Sequence, residues 1–331
     1  MLKIGLLGVG HLGKIHLKCI HLAKGHYELA GFYDPDDEHA HQAREAYDVR
    51  RFTDLQALLD AVDVVDIVTP TTTHYELAAA CIRQGKHLFI EKPLTHTVEE
   101  GAELVELSKA YGVQVQVGHV ERFNPALLAL EDMPVAPMFI EAHRLSLFNP
   151  RGTDVSVILD LMIHDIDIVL SMVEAPVSRI SASGVAVVSA TPDIANARLE
   201  FENGAVANLT ASRISLKQMR KLRFFQKDAY ISLDFLSKEA QVVRLYDEGD
   251  AALPREGNVL DLDTPDGKRH IHVFMPSIEP VNAIKMELET FADSINQGTR
   301  PRVHIEDGYQ ALKVAHEIAR EIDERVQTHL G

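Results

Sequence analysis

Cysteine is nearly absent. Cys19 and Cys81 are the only two in 331 residues, and they lie too far apart to make a metal or redox motif. Both fall in helical patterns, which suits a reducing cytosol. No apolar run approaches the ~20 residues that a bilayer-spanning helix needs. The opening Ile4-Gly5-Leu6-Leu7-Gly8-Val9-Gly10 is short, glycine-broken and lacks the cleavable tail of a signal peptide. Positive charge is in deficit, 33 lysines and arginines against 49 acids, for a formal net charge of −16. That balance repels phosphate backbones and anionic lipid, so neither nucleic acid nor a membrane surface is expected as a partner. Long like-charge runs, internal repeats and low-complexity segments are also missing. The 17 histidines do not gather with cysteine. His11, His16 and His21 fan around a helix, His39 and His41 point apart, and His270 and His272 share a strand face alone, so no metal site is expected.

What is present is an ordinary globular composition, 46% hydrophobic, long enough for two domains. The first is read as residues 1–120. Leu2 to Leu7 is an apolar strand followed by Gly8-x-Gly10-His11-Leu12-Gly13 and a helical pattern to about Leu22. In that context Gly8 permits the tight turn, Gly10 admits a pyrophosphate to the backbone, and Gly13 lets helix and strand pack closely, with the anion at the helix N-terminus. A second strand, Tyr27 to Tyr33, ends at Asp34, about 20 residues past the glycines, where an acid can bond both ribose hydroxyls. No arginine stands nearby in sequence to hold a 2′-phosphate, so NAD is expected rather than NADP.

A helix over about Pro35 to Ala46 follows, then a helix capped by Thr53, and then the strand Val64 to Val68. It leads into Thr69-Pro70-Thr71-Thr72-Thr73-His74, where Thr69, Pro70, Thr71 and His74 are candidate cofactor contacts and Thr73 reads as a helix cap. The apolar strand Leu88-Phe89-Ile90 runs directly into Glu91-Lys92-Pro93, aiming an ammonium at the crevice beyond the strand ends, so Glu91 and Lys92 join the candidate cofactor contacts. Pro93 stiffens the backbone there. Thr97-x-x-Glu100 is a capping box opening a helix that Gly112 stops, and the strand Val113 to Val117 closes a doubly wound parallel sheet.

Past Gly118 the alternation ends, and residues 121–331 read as a second α/β domain with an open, mainly antiparallel sheet. Its last two helices, Val281 to Gln297 and Ile305 to Thr328, can pack back on the first domain. Glu202-Asn203-Gly204 is a hairpin turn. It places Ala195, Ala197, Leu199 and Phe201 on one face and Asn196, Arg198 and Glu200 on the other. A helix from about Asp154 to Met172 is apolar nearly all round, yet Asp160, His164, Asp167 and Ser171 make one stripe. Such groups on a buried helix must face a cleft or a partner. Asp165 lies off the stripe and takes no role.

These residues resemble the Gfo/Idh/MocA oxidoreductases over essentially the whole chain. The resemblance is carried by Gly8-x-Gly10-x-x-Gly13, Thr69-Pro70 with His74, Glu91-Lys92-Pro93, Asp160-x-x-x-His164-x-x-Asp167 and Glu306-Asp307-Gly308-x-x-Ala311-Leu312. It implies a Rossmann domain plus an open-sheet α/β domain, homodimers or homotetramers, and a nicotinamide facing a sugar across the inter-domain cleft. Lys92, Asp160 and His164 would then act on the substrate hydroxyl. Many members carry glycines before and within the aspartate–histidine motif, where this chain has Ser156-Val157-Ile158-Leu159-Asp160-Leu161-Met162-Ile163-His164, a bulkier approach that would alter the shape of substrate accepted. The stretch Val117-Gly-His-Val-Glu121-Arg122-Phe123-Asn124-Pro125-Ala126 is similar to one in UDP-N-acetylglucosamine 3-dehydrogenases. Arg122 and Asn124 are therefore candidate contacts to a sugar or nucleotide sugar. The competing expectations are an inositol or free-sugar dehydrogenase and a non-catalytic NAD-binding regulator; Lys92, Asp160 and His164 together favour an enzyme.

Overall fold

Short apolar strands flanked by glycine and proline, each followed by an amphipathic helix, build a parallel sheet in the first part of the chain. The computed structural model describes residues 1–148, 155–254, 257–265 and 267–330, with side chains to Arg325. It divides into two compact units, Met1–Phe123 with Asn282–Lys313, and Asn124–Val281 with Val314–Gly331.

The first unit contains strands β1 (Leu2–Leu7), β2 (Tyr27–Tyr33), β3 (Arg51–Phe52), β4 (Val64–Ile67), β5 (His87–Glu91) and β6 (Val115–Gly118). All neighbours are parallel, in the order β3-β2-β1-β4-β5-β6. This is the doubly wound dinucleotide-binding order, whose crevice opens beyond the carboxyl ends of β1 and β4, where the strand order reverses. Helices α1 (His11–Leu22), α2 (Asp37–Tyr47), α3 (Leu55–Leu59), α4 (His74–Arg83) and α5 (Val98–Tyr111) connect the strands. Fully buried Val65, Ile67, Leu88, Ile90, Val115 and Val117 pack with α4 and α5 on one face. On the other, Ile4, Val64 and Phe89 meet Leu288 and Phe291.

The capping box forms in full, with Thr97 and Glu100 exchanging bonds, and Gly112 ends α5 in the left-handed region. Two local expectations differ, and one short strand was not expected. Asp54, not Thr53, caps α3, because its carboxylate reaches the Ala57 N–H. Thr73 makes no cap; a 3-10 turn over Thr71–Thr73 leaves its hydroxyl beside the Thr69 hydroxyl and the Pro70 carbonyl. The two-residue strand β3 carries too little pattern to be read from sequence.

In the second unit α6 (Pro125–Leu128) is followed by β7 (Phe139–Leu145), a π-helical turn over Ile158–Met162 and α7 (Ile163–Met172). Strands β8 (Val177–Val185), β9 (Ile194–Phe201), β10 (Val206–Ser212), β11 (Met219–Gln226), β12 (Ala229–Asp234), β13 (Glu239–Asp247), β14 (Asn258–Thr264) and β15 (Gly267–Phe274) complete a nine-stranded sheet. Its order is β14-β15-β13-β12-β11-β7-β10-β9-β8, antiparallel except for the β7–β10 pair. The Asn203-Gly204 turn joins β9 to β10, with Gly204 at φ 84°. The expected faces hold, since Ala195, Ala197, Leu199 and Phe201 are buried while Asn196 and Arg198 are exposed. Helices α8 (Ala283–Gln297) and α9 (Ile305–Leu330) follow the last strand. Among the described residues no helix is long and apolar enough to cross a membrane.

Candidate active site

In the first unit the glycine loop shows a geometric reason for each glycine. Gly8 has φ +88°, and a Cβ there would lie 2.9 Å from the Val68 carbonyl oxygen. A Cβ on Gly13 would lie 2.1 Å from the Gly8 oxygen, so helix and strand could not close. At Gly10, by contrast, a Cβ would meet nothing within 4 Å. The backbone is therefore left bare toward open space where α1 begins. The first-turn N–H groups of a helix lack intrahelical partners and favour an anion, and exposed His11 and Leu12 flank this turn. These residues fit a dinucleotide's diphosphate.

Asp34 sits at the end of β2, 6% exposed. Its two oxygens accept the N–H groups of Val9 and Asp36, each at 2.8 Å. Each retains a lone pair for a ribose hydroxyl. The expectation that no arginine stands near needs correction. β3 brings Arg51, whose Nη2 donates to the Asp34 carbonyl at 2.9 Å and whose Nη1 donates to Asp37 at 2.7 Å. A separation of 17 residues hid this neighbour.

Beyond β4, Thr69 and Thr71 are half-buried and Pro70 is exposed. His74 is buried at the start of α4, with its ring nitrogens 2.9 Å from the Thr69 carbonyl and 3.0 Å from that of Pro93. It brackets the loop after β4 to the loop after β5. Burial lowers its pKa, and the two carbonyls offset this only in part. Glu91 ends β5 nearly buried, with Oε1 3.1 Å from His16 Nε2 and Oε2 accepting the Lys92 N–H at 3.2 Å. Lys92 is half-buried, and a cis peptide joins it to Pro93.

The stretch from Val117 to Ala126 is interior except for half-buried Val120 and Arg122. The Arg122 carbonyl accepts from Arg302, whose guanidinium stacks 5.0 Å over Phe123. Asn124 caps α6 by accepting the Ala126 N–H, and its amide donates to the Phe235 carbonyl. These two bonds fix the orientation of the Asn124 amide, with one N–H and one lone pair engaged.

In the second unit Asp160 lies in the π-helical turn and His164 in the first turn of α7, both half-buried. A π-turn adds a residue to the local ladder and is frequent at functional sites. It breaks the regular stripe expected over the helix, whose proposed start at Asp154 falls outside the described residues. Asp167 is 1% exposed, whereas Ser171 is exposed and donates to the Ile168 carbonyl. Asp165, given no role from sequence, is buried and bidentately paired with Arg144 of β7 at 2.8 and 3.0 Å. That pair fixes the helix beside His164 to the sheet. Burial hides it from sequence, since alternation along β7 marks Arg144 only as one more inward position.

Two family models match the chain, an oxidoreductase family with an NAD-binding Rossmann fold over residues 2–119 and the Gfo/Idh/MocA C-terminal domain over residues 141–231. A UDP-N-acetylglucosamine 3-dehydrogenase of Acidithiobacillus ferrooxidans is 36% identical over 296 residues, 89% of this chain and 92% of that protein. The chain belongs to the Gfo/Idh/MocA oxidoreductases. A scyllo-inositol 2-dehydrogenase of Bacillus subtilis is 27% identical over 73% of this chain and 70% of its own length. A solved structure of the Acidithiobacillus enzyme superposes with a TM-score of 0.86 at 32% identity, covering 98% of both chains.

Proposed function

We propose that this oxidoreductase is an NAD-dependent dehydrogenase that moves hydride between nicotinamide and a secondary hydroxyl of a sugar, with UDP-N-acetylglucosamine oxidised at C3. The observation that carries the reading is the 36% identity to a UDP-N-acetylglucosamine 3-dehydrogenase over nine-tenths of the chain. It is supported by Asp34 at the end of β2, beside the start of the glycine loop, and by that loop's being bare at Gly10.

When bound, NAD supplies the hydride acceptor. Gly8 to Gly13 and the start of α1 hold its diphosphate, Asp34 its adenosine ribose, and Thr69 to Thr71 flank its path. An alcohol is about as weak an acid as water, ~15.7, and histidine's reference value is ~6.5, so full deprotonation by His164 alone is uphill by about 12 kcal/mol. Proton and hydride must therefore leave nearly together. Lys92 stabilises the developing alkoxide by about 3 to 4 kcal/mol, the scale of one preorganised donor to an oxyanion. His164 takes the proton, and Asp160 orients the imidazole and stabilises its charged form.

The test is NADH absorbance with a panel of nucleotide sugars, free sugars and inositols, beginning with UDP-N-acetylglucosamine, on wild type and Lys92→Met. Turnover with the nucleotide sugar, lost by orders of magnitude in Lys92→Met while NADH still binds, is expected. Turnover with inositol alone moves the substrate to the inositol class. NADH binding with no turnover on any member overturns the reading.

A further inference from the structure

A buried ionic cluster lies within the first unit, and the mechanism proposed above makes no use of its His16 and Asp66. His16 of α1 is 0% exposed, its Nδ1 2.9 Å from Asp66 Oδ2 on β4 and its Nε2 3.1 Å from Glu91 Oε1 on β5. A neutral imidazole carries one N–H, so only the imidazolium can donate to both carboxylates. Burial alone would lower the His16 pKa, but Asp66 and Glu91 outweigh it and hold it well above the ordinary histidine value. The second Glu91 oxygen accepts the Lys92 N–H at 3.2 Å. The site is shaped around this carboxylate. A Cβ on Gly118 of β6 would lie 2.8 Å from Glu91 Oε1, and Phe89 meets the His16 ring edge-on at 5.7 Å.

Apolar residues of the same volume would hold α1 to the sheet as well or better, because ion burial costs several kcal/mol per ion. They could not offer an oriented acceptor to the N–H of residue 92. We propose that His16 is a positioning residue that, through Glu91, sets the backbone from which Lys92 projects. This rests on the reading of Lys92 as catalytic.

Four variants and two readouts test it. In Glu91→Gln the amide donates to a neutral His16, the other ring N–H serves Asp66, and the amide oxygen still accepts from Lys92, so the geometry survives without the charge. Glu91→Ala removes the acceptor, and His16→Leu and His16→Gln remove or weaken its anchor. In His16→Leu and Glu91→Ala, kcat is expected to fall about 100-fold, the scale of a misplacement of about 1 Å. The same two variants should keep substrate KM and NADH affinity within about threefold, and Glu91→Gln should keep kcat itself within that range. His16→Gln should lie between. The second readout is competitive acetylation of Lys92 in the cofactor-free protein, scored by peptide mass spectrometry against exposed Lys24. Its rate should change in His16→Leu and Glu91→Ala and stay at the wild-type value in Glu91→Gln.

Glu91→Gln falling as far as Glu91→Ala, His16→Leu retaining kcat, or NADH affinity lost in step with kcat each overturns the assignment. Should His16→Leu fail to fold, the two Glu91 variants decide it. In a wild type that oxidises no sugar the reading of function fails, and the acetylation pattern alone decides this one.

Discussion

Replacing Arg144 with methionine should unlatch the helix that carries His164. The guanidinium makes two bonds to Asp165, Nε to Oδ2 at 3.0 Å and Nη2 to Oδ1 at 2.8 Å, and both residues are 3% exposed. Removing the cation leaves the carboxylate buried without its bidentate partner, a change that costs about 3 to 5 kcal/mol. With a urea dependence of about 2 kcal/mol per molar, that moves the transition of the second unit down by about 1.5 to 2.5 M. Removing both charges in Arg144→Met with Asp165→Leu takes away the uncompensated carboxylate of the single variant, so stability should return toward wild type. Catalysis should not return with it, because α7 would then be held by contacts that fix its depth against the sheet and not its rotation. The assay is hydrogen exchange of α7 peptides across a urea series, with kcat measured on the same samples. A single variant costing under about 1 kcal/mol, the scale of an exposed pair, would show that the latch carries no weight. A double variant restoring both stability and kcat would show that it has no part in placing His164.

Further outcomes follow from the first unit and the loop before β9. Gly10→Ala should fold normally and lose NADH affinity, since its added methyl meets no protein atom, whereas Gly13→Ala should destabilise the unit itself, its Cβ falling 2.1 Å from the Gly8 oxygen; fluorescence titration beside thermal unfolding separates the two. Asp37→Ser frees Arg51 from its 2.7 Å ion pair and should raise NADP affinity about tenfold, or about 1.4 kcal/mol, with NAD little changed; unchanged NADP affinity would mean that Arg51 does not reach the cofactor. Burial alone would raise the Asp193 pKa, yet the N–H groups of Val187, Val188 and Ser189 and the Ser189 hydroxyl hold it well below the ordinary value. A depressed carboxylate stabilises above its unfolded value of ~3.9 and loses that contribution as pH falls through its folded value. The protection of loop amides 186–193, taken relative to their intrinsic exchange rates, should accordingly fall with acid in the wild type, and an Asp193→Asn variant should show a flatter profile.

The parallel unit could be read from sequence because its signals are local. Glycine spacing, short apolar strands and the Thr97–Glu100 box each span fewer residues than one turn-and-strand repeat, and each formed, the closing strand over Val115–Gly118 where Val113 to Val117 was expected. The Asn203-Gly204 hairpin was legible for the same reason. The β14–β15 hairpin was not, because Asp261, Asp263, Lys268 and Arg269 give it a polar, largely exposed pattern without a core-facing period. Helix caps were off by one where two cap-forming residues stand together, as with Thr53 and Asp54, since composition cannot say which carboxylate or hydroxyl meets the N–H.

The polar interior is the part that sequence conceals, and it follows a pattern in each unit. Glu91, bonded to His16 across 75 positions, immediately precedes Lys92, and Asp165, bonded to Arg144 across 21, immediately follows His164. Apolar packing is non-directional and leaves a helix or strand end some freedom to rotate, while a buried ion pair fixes an angle at the expense of stability. On the proposed roles of Lys92 and His164, a pair on the adjoining residue puts its directionality where a rotation would matter most. It also explains why neither partner could be found from sequence: a candidate residue announces itself by type and position, but the group that pairs beside it is selected by the tertiary fold, from any element whose side chain happens to arrive at the same buried point.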